Sequence, residues 1–253
     1  MRTEIVNQKK TIALLGGTGG TGRHVLLLAL LGGHKVRALV RDPSKIPTEN
    51  LSRDQKIRLT TIQGNAKNID SVKELLGCSG FGNIIECCDV VISCIGSGQN
   101  RSDNVMTSTV ENLRKAVDES QIEGNIERPK LIMMSSIGCG GTSPVSKFGL
   151  RALFGSKSID DMDEADSLLR QDFPLKTTVC RPPRINETPL QFEADQGNTK
   201  KDTSKLKEYF ATTDFPRLCP IARGVSQSAV AQFIVDCVES EKWDGKAVQI
   251  YQK

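Results

Sequence analysis

The stretch Thr11-Ile-Ala-Leu-Leu-Gly-Gly-Thr-Gly-Gly-Thr-Gly-Arg23 decides how the rest of the chain is read. Lys10–Leu15 is short and apolar, as a buried strand is. Gly20–Leu31, directly after it, carries a helical pattern. Between them lies a G-x-x-G-x-x-G frame made by Gly16, Gly19 and Gly22, with Gly17, Thr18, Gly20 and Thr21 filling it. Strand, glycine turn, helix is the context that a dinucleotide fingerprint needs. Glycine permits the tight turn and lets backbone N–H groups approach a diphosphate. The helix N-terminus adds partial positive charge at the same place.

Outward from this turn the chain alternates short apolar runs with amphipathic stretches. Strands are expected at Lys35–Val40, Ile57–Gln63, Asp89–Ile95, Lys130–Ser135, Lys176–Cys180 and Lys246–Tyr251. Helices are expected at Ile69–Leu76, Asn104–Ser120, Ile159–Arg170 and Ser226–Ser240. Alternation of this kind builds right-handed crossovers and a mostly parallel sheet with helices on both faces, a doubly wound, Rossmann-like α/β fold. We read residues 1–253 as one such domain. Two segments break the rhythm, Gly138–Gly155 and Glu187–Arg223, and are expected to be substrate-side insertions at the C-terminal ends of strands.

Composition narrows the function. With 34 basic and 30 acidic residues the net charge is +4, too slight and too dispersed for a nucleic-acid partner. The longest apolar stretch, Val25–Leu31, is far short of a membrane span. The first ten residues lack an apolar signal region, so a cytoplasmic or organelle-interior location is expected. The 8 cysteines form no C-x-x-C pair and lie far in sequence from His24 and His34, so reduced structural thiols are expected and no metal site.

The second strand ends Leu39-Val-Arg-Asp-Pro-Ser-Lys45. An NAD site normally places an acid there for the ribose hydroxyls. Here Arg41 holds the equivalent position and Lys45 follows, a pair suited to a 2′-phosphate, so NADP(H) is favoured over NAD. Asp42, followed by Pro43, reads as a turn cap.

These motifs, with Gly64-Asn65, Asn104-Val-Met-Thr107, Ser135-Ser136, Asp160-Asp161, Cys180-Arg-Pro-Pro-Arg-Ile185 and Thr188-Pro-Leu190, resemble the atypical short-chain dehydrogenase/reductase group with an NAD(P)H-binding domain. Within it the similarity is to the flavin reductase and biliverdin-IXβ reductase family. The resemblance implies NADPH binding. Gly16, Thr18, Gly19, Thr21 and Gly22 would cradle the diphosphate, and Arg41 with Lys45 would hold the 2′-phosphate. Asn65 stands where the family usually has Asp near the adenine. Cys94, Ile95 and Gly96 would line the cofactor after the fourth strand. Ser135, Ser136, Pro182, Pro183, Arg184 and Ile185 would surround the nicotinamide. The family's substrates are flat conjugated acceptors such as flavins, linear tetrapyrroles and quinones.

The chain has 2 tyrosines, and neither begins a Tyr-x-x-x-Lys pair: Tyr209 is followed at the fourth position by Thr213, and Tyr251 lies two residues from the end. The proton relay of typical short-chain dehydrogenases is therefore missing. Hydride transfer to a small planar acceptor that delocalises its own charge remains, with proximity and orientation as the protein's main contribution. Ser136, at the end of the fifth strand, is the candidate for a hydrogen bond near the nicotinamide, and Arg184 for attracting an anionic group. Phe148 and Phe154 would suit a planar substrate or a core extension. The acidic run Asp160, Asp161, Asp163, Glu164, Asp166 is read as charge at a helix start, complementing its dipole. Two alternatives stand beside the reductase: an NADP(H)-sensing regulator of the NmrA type, which binds without turnover, and an enzyme of another class with its own acid in Glu187–Arg223.

Overall fold

The computed structural model of the chain describes residues 9–77, 87–96, 103–119, 128–140, 148, 151, 156–190, 209–213 and 224–252. Strand β1 (Thr11–Leu15) is buried throughout. Its side chains alternate between two cores: Ile12 and Leu14 point into one, Ala13 and Leu15 into the other. That period of two divides every central strand in the same way. Beside β1 lie β2 (Lys35–Val40) and then β3 (Leu59–Gln63) on one side. On the other come β4 (Val90–Ser93), β5 (Lys130–Met134) and β6 (Thr177–Arg181). All of these pairs are parallel.

Helix α1 (Gly20–Leu31) and the last helix, α6 (Gln227–Glu239), cover the face that carries Ile12 and Leu14. Helices α3 (Ile69–Leu76), α4 (Val105–Glu119) and α5 (Ser156–Arg170) cover the opposite face. The sheet order β3-β2-β1-β4-β5-β6 reverses direction between β1 and β4. In a doubly wound sheet that reversal opens a crevice beyond the strand C-termini, and ligands sit there.

Four features depart from the sequence expectation. The third strand begins at Leu59, because Arg53–Ile57 forms a short helix, α2, opened by a Ser52–Gln55 capping box. Ile57, expected to start the strand, ends that helix and is 74% exposed. Inside the expected Glu187–Arg223 insertion, Tyr209–Thr212 forms a strand, β8, antiparallel to β10 (Ala247–Gln252) at the sheet edge. A separate parallel pair joins β7 (Ile185–Asn186) to β9 (Val225–Ser226). Finally, α5 begins at Ser156, so the acidic run lies within the helix and not at its start. Residues 141–147, 149–150, 152–155, 191–208 and 214–223 of the two expected insertions, Phe154 among them, lie outside the described residues.

Among the described residues no helix is long and apolar enough to cross a membrane, and no group of three or more His, Cys, Asp or Glu could hold a metal ion. The described cysteines, Cys87, Cys88, Cys94, Cys139, Cys180 and Cys237, are not joined in disulfides; Cys78 and Cys219 lie outside the described residues.

Candidate cofactor site

The glycine turn crosses the switch point in contact with the end of β4. Gly16 has φ +79°, and a Cβ there would lie 2.8 Å from the Cys94 carbonyl carbon and oxygen. Gly22 packs so closely beneath the turn that a Cβ would run into the Gly16 carbonyl oxygen. Gly19 is different: its added Cβ would meet only that same oxygen, at 3.3 Å, and is otherwise open. Gly19 is also the N-cap of α1, with no side-chain cap bond, and the first turn contains no acidic residue. The opening N–H groups of a helix have no partner within the helix. This end of α1 therefore presents uncapped donors beside Gly19, with no carboxylate in its first turn to repel an anion, while Gly20 packs against the Gln227 side chain. Gly96, at the far lip, would place a Cβ in empty space. The cradle fits a diphosphate.

Arg41 follows β2, is exposed, and makes no hydrogen bond or ion pair among the described residues. Asp42 forms no ion pair with it. Its Oδ1 accepts from the Ser44 hydroxyl (2.6 Å) and the Ser44 amide (3.1 Å), which holds the carboxyl below its ordinary pKa. That cap shapes the short 3-10 turn Pro43–Lys45 and leaves Lys45 exposed, 3.9 Å from Asp42. Asn65 is exposed two residues after β3. Its Oδ1 accepts from the Lys67 amide at 3.1 Å, and the Gly64 amide donates to the Val40 carbonyl beside Arg41.

Cys94 is buried, and burial pushes its thiol up to about 12, so it packs as an inert small group; Ile95 and Gly96 continue to the rim. Ends β5 and β6 are laced together: the Ser135 amide donates to the Cys180 carbonyl at 2.7 Å and the Ile137 amide to the Pro182 carbonyl at 3.2 Å. Pro182 and Pro183 are buried, Ile185 is half-buried, and Arg184 is exposed. Ser136 is half-buried, and its hydroxyl bonds to none of the described residues. Phe148 is 77% exposed.

Several residues of this region carry roles that the sequence reading missed. Asp166, within α5, is wholly buried and accepts from Arg181 Nη2 (2.6 Å) and Nε (3.0 Å) and from the Ser135 hydroxyl (3.1 Å). Arg170 Nε lies 3.6 Å from the same carboxylate, and breaking the buried Arg181 pair would cost up to about 3–5 kcal/mol. Asp161 turns to α4, accepting from the amides of Met106 (3.1 Å) and Thr107 (2.9 Å) and from the Thr107 hydroxyl (2.8 Å). These carboxylates serve specific donors across the core, which corrects the dipole reading. Two signals were present. Asp166 shares a helical stripe with Ile159, Met162 and Leu169, and Arg181 directly follows the apolar pair Val179-Cys180 of its strand.

His24 is likewise committed to structure. Its Nε2 donates to the Thr188 carbonyl at 3.1 Å, and burial lowers its pKa below the ordinary value. Gln227 Oε1 accepts from the Thr188 amide at 3.3 Å and the Thr188 hydroxyl accepts from the Ser228 amide at 3.3 Å. The chain after β7 is thereby fastened over the start of α1. Both tyrosines are engaged. The Tyr209 phenol donates to Asp236 at 2.6 Å and is pushed well above its ordinary pKa by burial, while Tyr251 donates to Gln249. A cavity of about 600 Å³ between α5, β6 and β10 reaches Asp166 and Arg181 and includes none of the glycine turn.

Comparison with known proteins agrees with this frame. The family described as NAD(P)H-binding matches residues 16–241. The "Reductase pytE" of Aspergillus terreus is 29% identical over 147 residues, which cover 52% of this chain and 55% of that protein. The chain thus covers little more than half of that relative's own length. Two solved structures superpose with a TM-score of 0.66. One is a short-chain dehydrogenase/reductase (wide type) from Veillonella parvula in complex with NADP, 18% identical, covering 97% of this chain and 95% of the other. The second is ChuY, described as an anaerobillin reductase from Escherichia coli O157:H7, 17% identical and covering 96% of each chain. At these identities the likeness shows a shared fold.

Proposed function

This chain belongs to the NAD(P)H-binding family, and on that premise we propose that it is an NADPH-dependent reductase transferring hydride to a small, planar, conjugated acceptor. The observation that carries the reading is the uncapped, acid-free start of α1 at the β1/β4 switch point, with the unpartnered Arg41 one strand away. The amides of the Gly16–Gly22 turn would hold the diphosphate. Arg41, with Lys45, would pair with the 2′-phosphate, a bidentate match for a guanidinium. The Asn65 side-chain amide is available beside the adenine position, its Oδ1 being held by Lys67. Cys94, Ile95 and Gly96 would wall the middle of the cofactor, and Pro182, Pro183, Arg184 and Ile185 the nicotinamide end.

When bound, the reduced nicotinamide would supply the hydride. The chain's own part is to orient and to exclude water. Ser136 offers a free hydroxyl at the mouth as hydrogen-bonding partner for the reacting region. Neither tyrosine is placed for a proton relay, since each phenol already serves an acceptor and none has a lysine four residues on. An acceptor that spreads its developing charge, such as a flavin, quinone or tetrapyrrole, needs no such relay.

Thermal unfolding with NADPH, NADP and NADH tests the cofactor. At a hundred times the dissociation constant a ligand adds about 2.7 kcal/mol. NADPH and NADP are expected to raise the Tm well above the NADH value, and Arg41→Ala to erase the difference. Equal shifts with NADH would overturn the 2′-phosphate assignment. NADPH oxidation is then followed with FMN and menadione as acceptors. Binding without turnover would favour the sensing regulator instead.

A further inference from the structure

We propose that Asp166 is a positioning residue for the nicotinamide end of the site: it ties the exits of β5 and β6 into one unit and thereby aims Ser136 at the mouth. The proposal rests on the cofactor reading above and deepens it.

Asp166 collects donors from both exits. Arg181 is the last residue of β6, directly before Pro182-Pro183, and gives the carboxylate two N–H groups, at 2.6 and 3.0 Å. Ser135, just past β5, gives its hydroxyl at 3.1 Å. The cluster is enclosed, with Asp166 at 0%, Arg181 at 2% and Ser135 at 6% exposure. The turn that follows β5 closes over it. Gly140, at φ +71°, lies so near Arg181 that no side chain would fit, its amide donates to Asp163 Oδ1 at 2.8 Å, and its carbonyl accepts from Arg170 Nη1 at 2.7 Å.

The arrangement divides the work of the adjacent serines. The Ser135 hydroxyl is spent on Asp166 and is not available to a ligand. Successive side chains leave an extended strand on opposite faces, so Ser136 points away from α5. In a parallel ladder alternate residues bond the same neighbour. The amides of Ser135 and Ile137 bond the β6 side, which turns the Ser136 amide toward the β4 side, where the switch point lies. Holding Ser135 against Asp166 therefore fixes where Ser136 sits, and holding Arg181 fixes the wall beginning at Pro182. The adenosine half of the site, at Arg41 and Asn65, lies on the other side of β1 and has no part in this cluster.

The test compares two probes on the full chain, NADPH and 2′,5′-ADP, which lacks the nicotinamide. Wild type is expected to bind both. Asp166→Asn is expected to weaken NADPH about tenfold while leaving 2′,5′-ADP within about twofold, because a misaimed exit affects one end of the cofactor only. If Asp166→Asn does not fold, Ser135→Ala, which removes one neutral donor, is expected to show the same asymmetry at a few-fold. Menadione reduction gives a second readout: the variant's kcat is expected to fall, and Asp166→Asn with Ser136→Ala to be no slower than Ser136→Ala alone, the signature of action through Ser136. Equal weakening of both probes, no weakening of either, or additive kcat losses would overturn the assignment and leave the cofactor reading standing. A wild type that binds neither probe would overturn the cofactor reading itself.

Discussion

Single glycines separate folding from binding in this turn. Gly22→Ala drives a methyl into the Gly16 carbonyl, and Gly16→Ala adds a left-handed backbone to a collision with Cys94. Either is expected to cost about 1–3 kcal/mol or more of stability, read as an earlier urea midpoint. Gly19→Ala brings a methyl to 3.3 Å from the Gly16 carbonyl oxygen, a far milder contact, and is expected to move the midpoint much less than the other two while weakening NADPH at least tenfold, since its methyl stands where the diphosphate would lie. These positions were legible because glycine spacing and a cation at a strand end are local signals. Asp166 was not. An aspartate in an acidic run looks like solvated charge; its helical stripe hints at burial, but its partner appears only when Arg181, at the end of β6, closes on it. Ser135 and Ser136 pose the same difficulty: the sequence offers two hydroxyls side by side, and only the burial of one shows which is free.

Elements whose ends carry their own punctuation were read with correct limits. Helix α3 starts at the Asn68 cap and stops at Gly77 with φ +83°, and α1 starts from its glycine turn. Strand β8 carries no such marks, being a short edge strand in a polar, proline-containing segment, and antiparallel pairing with β10 decides it. The start of α5 was missed because Ser156–Ser158 has no apolar periodicity of its own. What α5 does for its neighbour is testable. The first-turn amides of α4 are capped by Asp161 from another helix. Asp161→Ala leaves them unpaired in the interior and is expected to cost about 2–3 kcal/mol in urea unfolding, with Asp161→Asn recovering part of it. NADPH binding by the folded fraction is expected to persist, because this cap lies off the cradle.

At the scale of the whole molecule the two histidines set an acid limit. His24 and His34 are both buried, and desolvation is the largest cause holding each below its ordinary pKa of 6.5. The unfolded chain therefore takes up protons more readily than the folded one as the pH falls past that value. Their contribution is fully present above about 6.5 and declines below it. Urea midpoints are expected to drop between pH 7.5 and 5.5, with a smaller drop in His24→Gln and His34→Gln than in wild type. The fold itself follows from strand and helix alternation, since helices on both sides of a parallel sheet bury both faces of β1. The β7–β9 stitch bears on what such a scaffold tolerates. Ile185–Asn186 and Val225–Ser226 run side by side in one direction, so no tight hairpin can link them, and a crossover of roughly a dozen residues is the minimum. With Thr188 moored to His24 and Gln227, and β8 paired to β10 within the same connection, the crossover has a lower bound on its length and is tied to the sheet edge at Tyr209–Thr212. Any exchange of sequence there has to spare Tyr209–Thr212, which seal the sheet edge along β10.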